Sequence, residues 1–283
     1  MKKSANNKTK KILKIATSSF FATSTITSVA IASSCAASFN NGKIIKIPED
    51  KNWPIDAIPQ ENLNIFYSIA TDTYLLNGLT SKPIDSKYTK LYIPWYISEI
   101  TNRAFLAEFV ATETTSTNSF PVPYPIKNAQ VDELIFSSAD YAKCEIINSQ
   151  AFALCNAFTK ITINAKRIDD SAFLRCESIK TIDCLSRTES FGERVFTDCH
   201  LVSEMTISTD SMPAYGPFMF SSQLGPSPKL TLYVKSNLVS VFQNDLNSGR
   251  YWNYPKWNYV GWGGVQDSGT GSGLSYFSSI TAI

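Results

Sequence analysis

The sequence predicts a repeat solenoid, a right-handed coil with a parallel β-sheet on one face, short helical or irregular return segments and capped ends. Three observations predict it. First, "AFALC" at 151–155, "AFLRC" at 172–176 and "VFTDC" at 195–199 each place a Phe three residues before a Cys, and Phe152, Phe173 and Phe196 are spaced by 21 and 23 residues. Second, an apolar residue stands five positions before each Phe (Ile147, Ile168, Phe191), and another three positions after each Cys (Phe158, Ile179, Val202). Third, each unit closes on two residues spaced by two: Ile161 and Ile163, Ile182 and Cys184, Met205 and Ile207.

A period of about 20–29 residues ending in an alternating pair is the signature of a leucine-rich-type solenoid. Residues two apart point to one side of a short strand, and stacked strands form the sheet. The Phe is expected inside, beneath the return segment, with the Cys filling a small apolar slot beside it. A unit with about six buried side chains, each contributing roughly 1.5–3 kcal/mol, cannot offset the ordering of its own backbone at about 1–2 kcal/mol per residue. A stack can, because each unit buries its neighbour.

The columns continue outside the three clearest units. Upstream, Ile100 precedes Phe105 by five in "EITNRAF", and Leu91 and Ile93 supply an earlier strand. The chain then departs from the repeat over 108–130 before Val131, Leu134 and Phe136 resume it. Downstream, 212–229 is irregular, and "KLTLYV" offers Leu230 and Leu232 as the next inward pair. About five coils are therefore expected over 91–234.

These units resemble the BspA-like leucine-rich repeat family of bacterial surface proteins, whose pattern reads roughly I-x-x-x-A-F-x-x-C-x-x-L-x-x-I-x-I. The resemblance covers about 91–234 and is most specific over 147–207. It reaches the flanks: "TYLLNGLTSKPIDSKYTKLYIPWYISEITNRAF" is similar to that family's lead-in strand and first unit, and "LYVKSNLVSVFQNDLNSGRYWNYPKWNYV" to its closing unit. Gly is absent from most positions before "AF". In the closing unit, Leu238, Val241, Phe242 and Leu246 fall on one helical face. The aromatic run Trp252, Tyr254, Trp257 and Tyr259 is expected to seal the open end of the stack, with an exposed aromatic platform for a sugar or peptide as the alternative.

The N-terminus reads as an export signal. Lys2, Lys3, Lys8, Lys10, Lys11 and Lys14 precede an uncharged, moderately apolar stretch, "IATSSFFATSTITSVAIASS". That is a basic region followed by an apolar region. "IASSC" resembles a bacterial lipobox of the looser mollicute type, with Ala32 where Leu is preferred, which implies lipid attachment at Cys35. Ala30-Ile31-Ala32 offers ordinary secretory cleavage as the alternative. A diacyl anchor buries about 0.8 kcal/mol per CH₂, which holds a domain to a membrane without a spanning helix. Without residues 1–34 the chain carries 20 basic and 24 acidic side chains, a mildly acidic balance that removes the electrostatic case for a nucleic-acid partner.

The expected organisation is a signal peptide over 1–34, a flexible tether over 35–60 with Pro48, Pro54 and Pro59, and a β lead-in cap over 61–90. Repeats over 91–234, a C-terminal cap over 235–260 and a mobile Gly/Ser-rich tail over 261–283 complete it.

Candidate chemistry is sparse. Cys155, Cys176 and Cys199 share one column as buried free thiols, since parallel side chains do not point at one another, and no C-x₂-C pair suggests zinc. His200 is the one histidine and is expected to face solvent, away from the inward Cys199. Asp132-Glu133 and Asp169-Asp170 are neighbours on extended chain and face opposite ways, so they read as solubilising turns and not as an acid/base pair. No catalytic group, metal site or cofactor is expected. Two surfaces remain. The central strand residues Tyr92, Ile135, Thr162, Asp183, Thr206 and Thr231 are expected to face outward as a ligand stripe on a concave sheet. The 108–130 insertion offers Phe120 and Tyr124 as a recognition loop. The resemblance implies a monomeric, lipid-anchored protein on the extracellular face of the membrane that binds extracellular or host protein as an adhesin. A surface coat without a specific ligand is the alternative, and an envelope hydrolase a more distant one.

Overall fold

The computed structural model describes residues 37–40, 43–110, 128–216, 219–221, 229–248 and 277–283. The first elements are β1 (Ala37–Asn40), β2 (Lys43–Lys46), a 3-10 turn at Gln60–Asn62, β3 (Leu63–Ser68) and β4 (Thr73–Leu79). The coils then run through β5 (Lys90–Ile93), β6 (Ile97–Ile100), β7 (Glu133–Phe136), β8 (Ile146–Ile147), β9 (Lys160–Ile163) and β10 (Arg167–Ile168). They continue through β11 (Thr181–Cys184), β12 (Ser190–Phe191), β13 (Glu204–Ile207), β14 (Ala214–Tyr215) and β15 (Leu230–Val234). A 3-10 turn at Ser236–Leu238, helix α1 (Val239–Ser248) and β16 (Phe277–Ala282) close the described chain.

Successive coils contribute one strand to each of two sheets, and the protein is a repeat solenoid. The first sheet has the order β5-β7-β9-β11-β13-β15-β16 and is parallel throughout. The second has the order β3-β4-β6-β8-β10-β12-β14, parallel except for the β3–β4 hairpin. A separate hairpin joins β1 and β2. The expectation of a sheet on one face is thus extended: the apolar residue five before each Phe is the inward last residue of a two- to four-residue strand in the second sheet. Ile100, Ile147, Ile168 and Phe191 hold this row.

The return segment between the sheets is a series of turns that repeats from coil to coil. Arg103, Ala107, Gln150, Leu154, Ser171, Arg175, Arg194 and Asp198 all have φ between 54° and 63°. Each of these four coils therefore carries two left-handed residues, four apart, flanking Phe105, Phe152, Phe173 or Phe196. Their geometry aims main-chain N–H groups at the following coil: Gln150, Phe152 and Leu154 donate to the carbonyls of Asp170, Ala172 and Leu174 at 3.3, 2.8 and 2.8 Å. Ser171, Phe173 and Arg175 repeat this to Glu193, Val195 and Thr197 at 2.8, 3.0 and 2.8 Å. A third ladder of inter-coil hydrogen bonds thus satisfies the backbone where no strand exists. L-residues in this region cost about 1–2 kcal/mol each, offset here by those bonds.

The core is columnar. Phe105, Phe152, Phe173, Phe196 and Phe220 stack one above the next with ring centroids 5.0, 5.1, 5.5 and 5.3 Å apart. Beside them the Cys155, Cys176 and Cys199 thiols are fully buried and free. Each donates to the carbonyl of a Phe one coil earlier: Cys155 to Phe105 at 2.9 Å, Cys176 to Phe152 at 3.1 Å, Cys199 to Phe173 at 3.2 Å. Phe158, Ile179 and Val202 and the strand pairs from Ile161 to Ile207 fill the rest of the interior. Gly78 has φ of 95°, and a Cβ there would stand 2.1 Å from the Ala104 carbonyl oxygen. The second sheet approaches the first return segment that closely only because this residue has no side chain.

Several expected boundaries differ. The 35–60 segment is not a free tether along its length. β1 and β2 pair, and Ile47, Asp50, Ala57 and Ile58 are buried against the first coil. Its prolines set turns: the Pro54 and Pro59 carbonyls accept from Ala57 and Asn62 at 3.1 and 2.9 Å. The 261–283 tail is not mobile throughout, because β16 extends the first sheet beside β15 with Phe277 buried. The Gly/Ser-rich stretch before it hides this strand from a reading by composition. In the C-terminal cap Leu238 and Phe242 are buried, whereas Val241 is 43% exposed and does not join the apolar face.

Candidate functional site

The outward face of the first sheet is made of two rows, since alternate residues of each strand leave the core. One row contains Lys90, Glu133, Lys160, Thr181, Glu204, Thr231 and Ser279. The other contains Tyr92, Ile135, Thr162, Asp183, Thr206, Tyr233 and Thr281. Ile135, Thr162, Asp183 and Thr206 are partly exposed neighbours on four consecutive strands.

Two predicted members stand elsewhere. Tyr92 is 3% exposed. The segment preceding the coils folds over it: its hydroxyl donates to Asp50 Oδ2 at 3.0 Å, and its ring meets Trp53 edge-on at 5.1 Å. That burial pushes the phenol up to about 12. Thr231 lies opposite Glu204, and Tyr233 takes the place beside Thr206. Leu230, Leu232 and Val234 all face inward, and it is Leu232 and Val234 that stand in register with Met205 and Ile207. Phe120, Tyr124 and Cys35 lie outside the described residues, as do Trp252, Tyr254, Trp257 and Tyr259.

The face has two chemically distinct halves. Toward the N-terminal end, charges alternate in sign across strands. Lys90 Nζ lies 3.1 Å from Asp56 and 3.6 Å from Glu133, and Lys160 Nζ lies 3.9 Å from Glu133 and 3.7 Å from Asp183. Asp56, with Glu133 behind it, raises the Lys90 amine above the ordinary lysine range. Toward the C-terminal end the face turns hydroxylic: Thr206, Thr231, Tyr233, Ser279 and Thr281, with Ser279 Oγ donating to Thr231 Oγ1 at 3.2 Å. The charged row was not singled out from the sequence, although its signal is present. Each member stands two residues before a central one, as in "KLY", "ELI" and "KIT".

Among the described residues, the other notable titratable groups surround Asp198. The Asp198 side chain is fully buried, with Arg175 Nε 3.6 Å from one oxygen and His200 Nε2 3.9 Å from the other. The adjacent Cys199 thiol points the other way, to the Phe173 carbonyl, and burial pushes it far above the ordinary thiol range. A thiolate nucleophile needs the opposite shift. Burial likewise raises Cys144 and Cys155 to about 12. Among the described residues no group of three or more His, Cys, Asp and Glu could hold a metal ion. No helix among them is long and apolar enough to cross a membrane.

Residues 127–244 match the family described as "BspA type Leucine rich repeat region", in six copies. No curated protein matches the chain. Among solved structures, the chain is similar to a leucine-rich repeat protein of T. pallidum at 15% identity and TM-score 0.46, covering 62% of this chain and 71% of that one. It is also similar to a leucine-rich cell surface protein of Faecalibacterium prausnitzii at 15% identity and TM-score 0.35, covering 65% and 56%. A third, a leucine-rich repeat protein of Bacteroides ovatus, is 11% identical with TM-score 0.22, covering 60% of this chain and 70% of that one.

Proposed function

Starting from a chain that carries six BspA-type leucine-rich repeats over residues 127–244, we propose that it is a cell-surface adhesin which binds protein through the outward face of its first sheet. The observation that carries the reading is the register of Ile135, Thr162, Asp183 and Thr206. Four adjacent strands hold four partly exposed side chains of three kinds at fixed spacing on one rigid sheet. A rigid array loses little conformational entropy on binding. The mixture of charge and hydroxyl suits a polar protein surface more than an apolar peptide. Stacked-repeat proteins use extended sheet faces in this way.

The test is binding of the purified full chain to immobilised fibronectin, fibrinogen, laminin and collagen. Thr162→Arg and Thr206→Arg, placed on the partly exposed face, are expected to weaken binding at least tenfold (about 1.4 kcal/mol) while leaving the melting temperature unchanged. Binding that survives both substitutions moves the site off this face. Absence of binding to the whole panel favours the coat reading.

Surface retention is proposed to come from a lipid on Cys35. Cys35→Ser is then expected to shift the protein from the detergent phase to the medium, or to leave an unprocessed precursor. Unchanged detergent partitioning of a cleaved Cys35→Ser protein excludes the anchor.

A further inference from the structure

The corners joining the two sheets differ in length from coil to coil. The corner from β7 to β8 spans residues 137–145, that from β9 to β10 only 164–166, and that from β11 to β12 spans 185–189. A short corner between two longer ones leaves a dent. That dent is a cavity of about 330 Å³ lined by Ser138, Ala139, Asp140, Asn164, Leu185, Ser186, Arg187 and Ser208. It lies at the ends of the first-sheet strands, with Asn164, Leu185 and Ser208 two residues beyond the central Thr162, Asp183 and Thr206, and draws on four successive coils.

Its walls contain polar groups that the protein leaves unsatisfied. Asn164 is 3% exposed; its Nδ2 donates to the Ser137 carbonyl at 2.7 Å, and its buried Oδ1 has no partner. Arg187 is fixed by Glu145, with Nη2 donating to Oε1 at 3.1 Å, while Lys166 holds the other carboxylate oxygen at 2.7 Å. The buried Nη1 of Arg187 has no protein partner. Buried polar atoms are normally hydrogen-bonded, so each such atom calls for a ligand or a water. One orphan is ordinary for a water. An unpartnered acceptor and an unpartnered donor on two residues that line one cavity, together with Ser138, Ser186, Ser208 and the exposed Asp140, mark a candidate site.

We infer that this dent binds a neutral saccharide residue, free or at the end of a glycan. The charge balance leaves no excess positive charge for an anion: Arg187 and Lys166 share the Glu145 carboxylate, and Asp140 at the rim supplies a second negative charge. The chemistry is mixed donor and acceptor, which matches a ring of hydroxyls that each donate and accept. Ala139 and Leu185 supply an apolar wall for the C–H face of a sugar. The volume lies at the small end of the roughly 300–1,000 Å³ of ligand pockets, room for one or two rings and too little for a folded peptide segment. Its lining residues differ from those of the stripe proposed for protein binding, which it adjoins.

The experiment measures binding of glucose, galactose, mannose, N-acetylglucosamine and N-acetylgalactosamine to the purified full chain by saturation-transfer NMR and calorimetry. The same sugars coupled to albumin form a parallel arm. Ser186→Trp, which fills the dent from an exposed position, is expected to abolish binding, and Asp140→Ala to weaken it about tenfold or more. Ser186→Ala serves as a second, mild variant, and the melting temperature reports folding. Binding of free sugars supports a free ligand; binding of the conjugates alone supports a glycan terminus. Failure of every sugar in both arms overturns the proposal. So does binding that persists in a folded Ser186→Trp protein, or displacement of the sugars by glycine or inorganic phosphate as the tighter occupant.

Discussion

The Cys176 thiol donates a hydrogen bond to the main-chain carbonyl of Phe152, one coil earlier, at 3.1 Å. The same carbonyl also accepts from Cys155 N in its own coil at 3.2 Å. This relationship explains why a Cys follows the Phe by three residues in every clear unit. The slot is small and dry, and its one unused acceptor lone pair faces the next coil. A thiol fits the volume, is apolar enough for the site, and carries one weak donor.

The first prediction follows from that bond. Cys176→Ala removes the donor and leaves a small void, and is expected to lower stability by about 1–2 kcal/mol. Urea denaturation of the two proteins measures the difference. No loss in the midpoint refutes a structural role for the thiol.

Phe173 stacks between Phe152 and Phe196 and is fully buried. Phe173→Ala is predicted to cost about 3–5 kcal/mol, because rings held on both sides by neighbouring coils cannot collapse into the vacated space. A loss below about 1 kcal/mol contradicts this packing.

The buried thiols make stability sensitive to alkali. Cys144 and Cys155 are pushed from 9.0 to about 12, chiefly by burial, and Cys176 well above 9.0. A folded-state value above the unfolded one means that the fold favours the protonated thiol. The contribution is fully present below pH 9 and is lost as pH rises through 9 toward 12. Tyr92 acts in the same direction from 10.0 to about 12. The predicted outcome is a flat urea midpoint from neutrality to about pH 8.5 and a steep fall above it. At pH 8 an aromatic disulfide reagent should modify none of Cys144, Cys155, Cys176, Cys184 and Cys199 until the protein is unfolded.

Ser171 has φ of 58° and sends its N–H to the Glu193 carbonyl at 2.8 Å. Ser171→Gly is predicted to be neutral or mildly stabilising, and Ser171→Val to be at least about 1 kcal/mol less stable than Ser171→Gly. Equal stability of the two variants in thermal melts counts against the left-handed ladder.

Asp50 ties the segment before the coils to the first strand through the Tyr92 hydroxyl and the Trp95 N–H, at 3.0 and 3.4 Å. Asp50→Ala is expected to cost about 1–3 kcal/mol and to leave the Tyr92 hydroxyl without its acceptor. Hydrogen exchange across residues 47–58 and 90–96 should rise together. Exchange that stays at the parent level in both segments disproves the clasp.

What the sequence determined by itself is the coil and its core. The columns of Phe152, Cys155, Phe158, Ile161 and Ile163 recur often enough that their burial follows from repetition alone, because every unit must present the same inward set to its neighbours. What only the tertiary structure decided are features in which one coil differs from the next or a remote segment intervenes. The second sheet was hidden because strands of two residues, such as Ile146–Ile147, are too short to show alternation. The place of Thr231 was ambiguous because Leu230, Leu232 and Val234 are all spaced by two and all buried, so two registers satisfy the same pattern; pairing with β13 selects the one that presents Tyr233. Tyr92 left the stripe because Asp50 and Trp53, some forty residues upstream, fold over it. The saccharide-sized dent depends on unequal corners around Asn164. A repeat pattern carries no such information, because it records what the coils share, and a site forms where they differ.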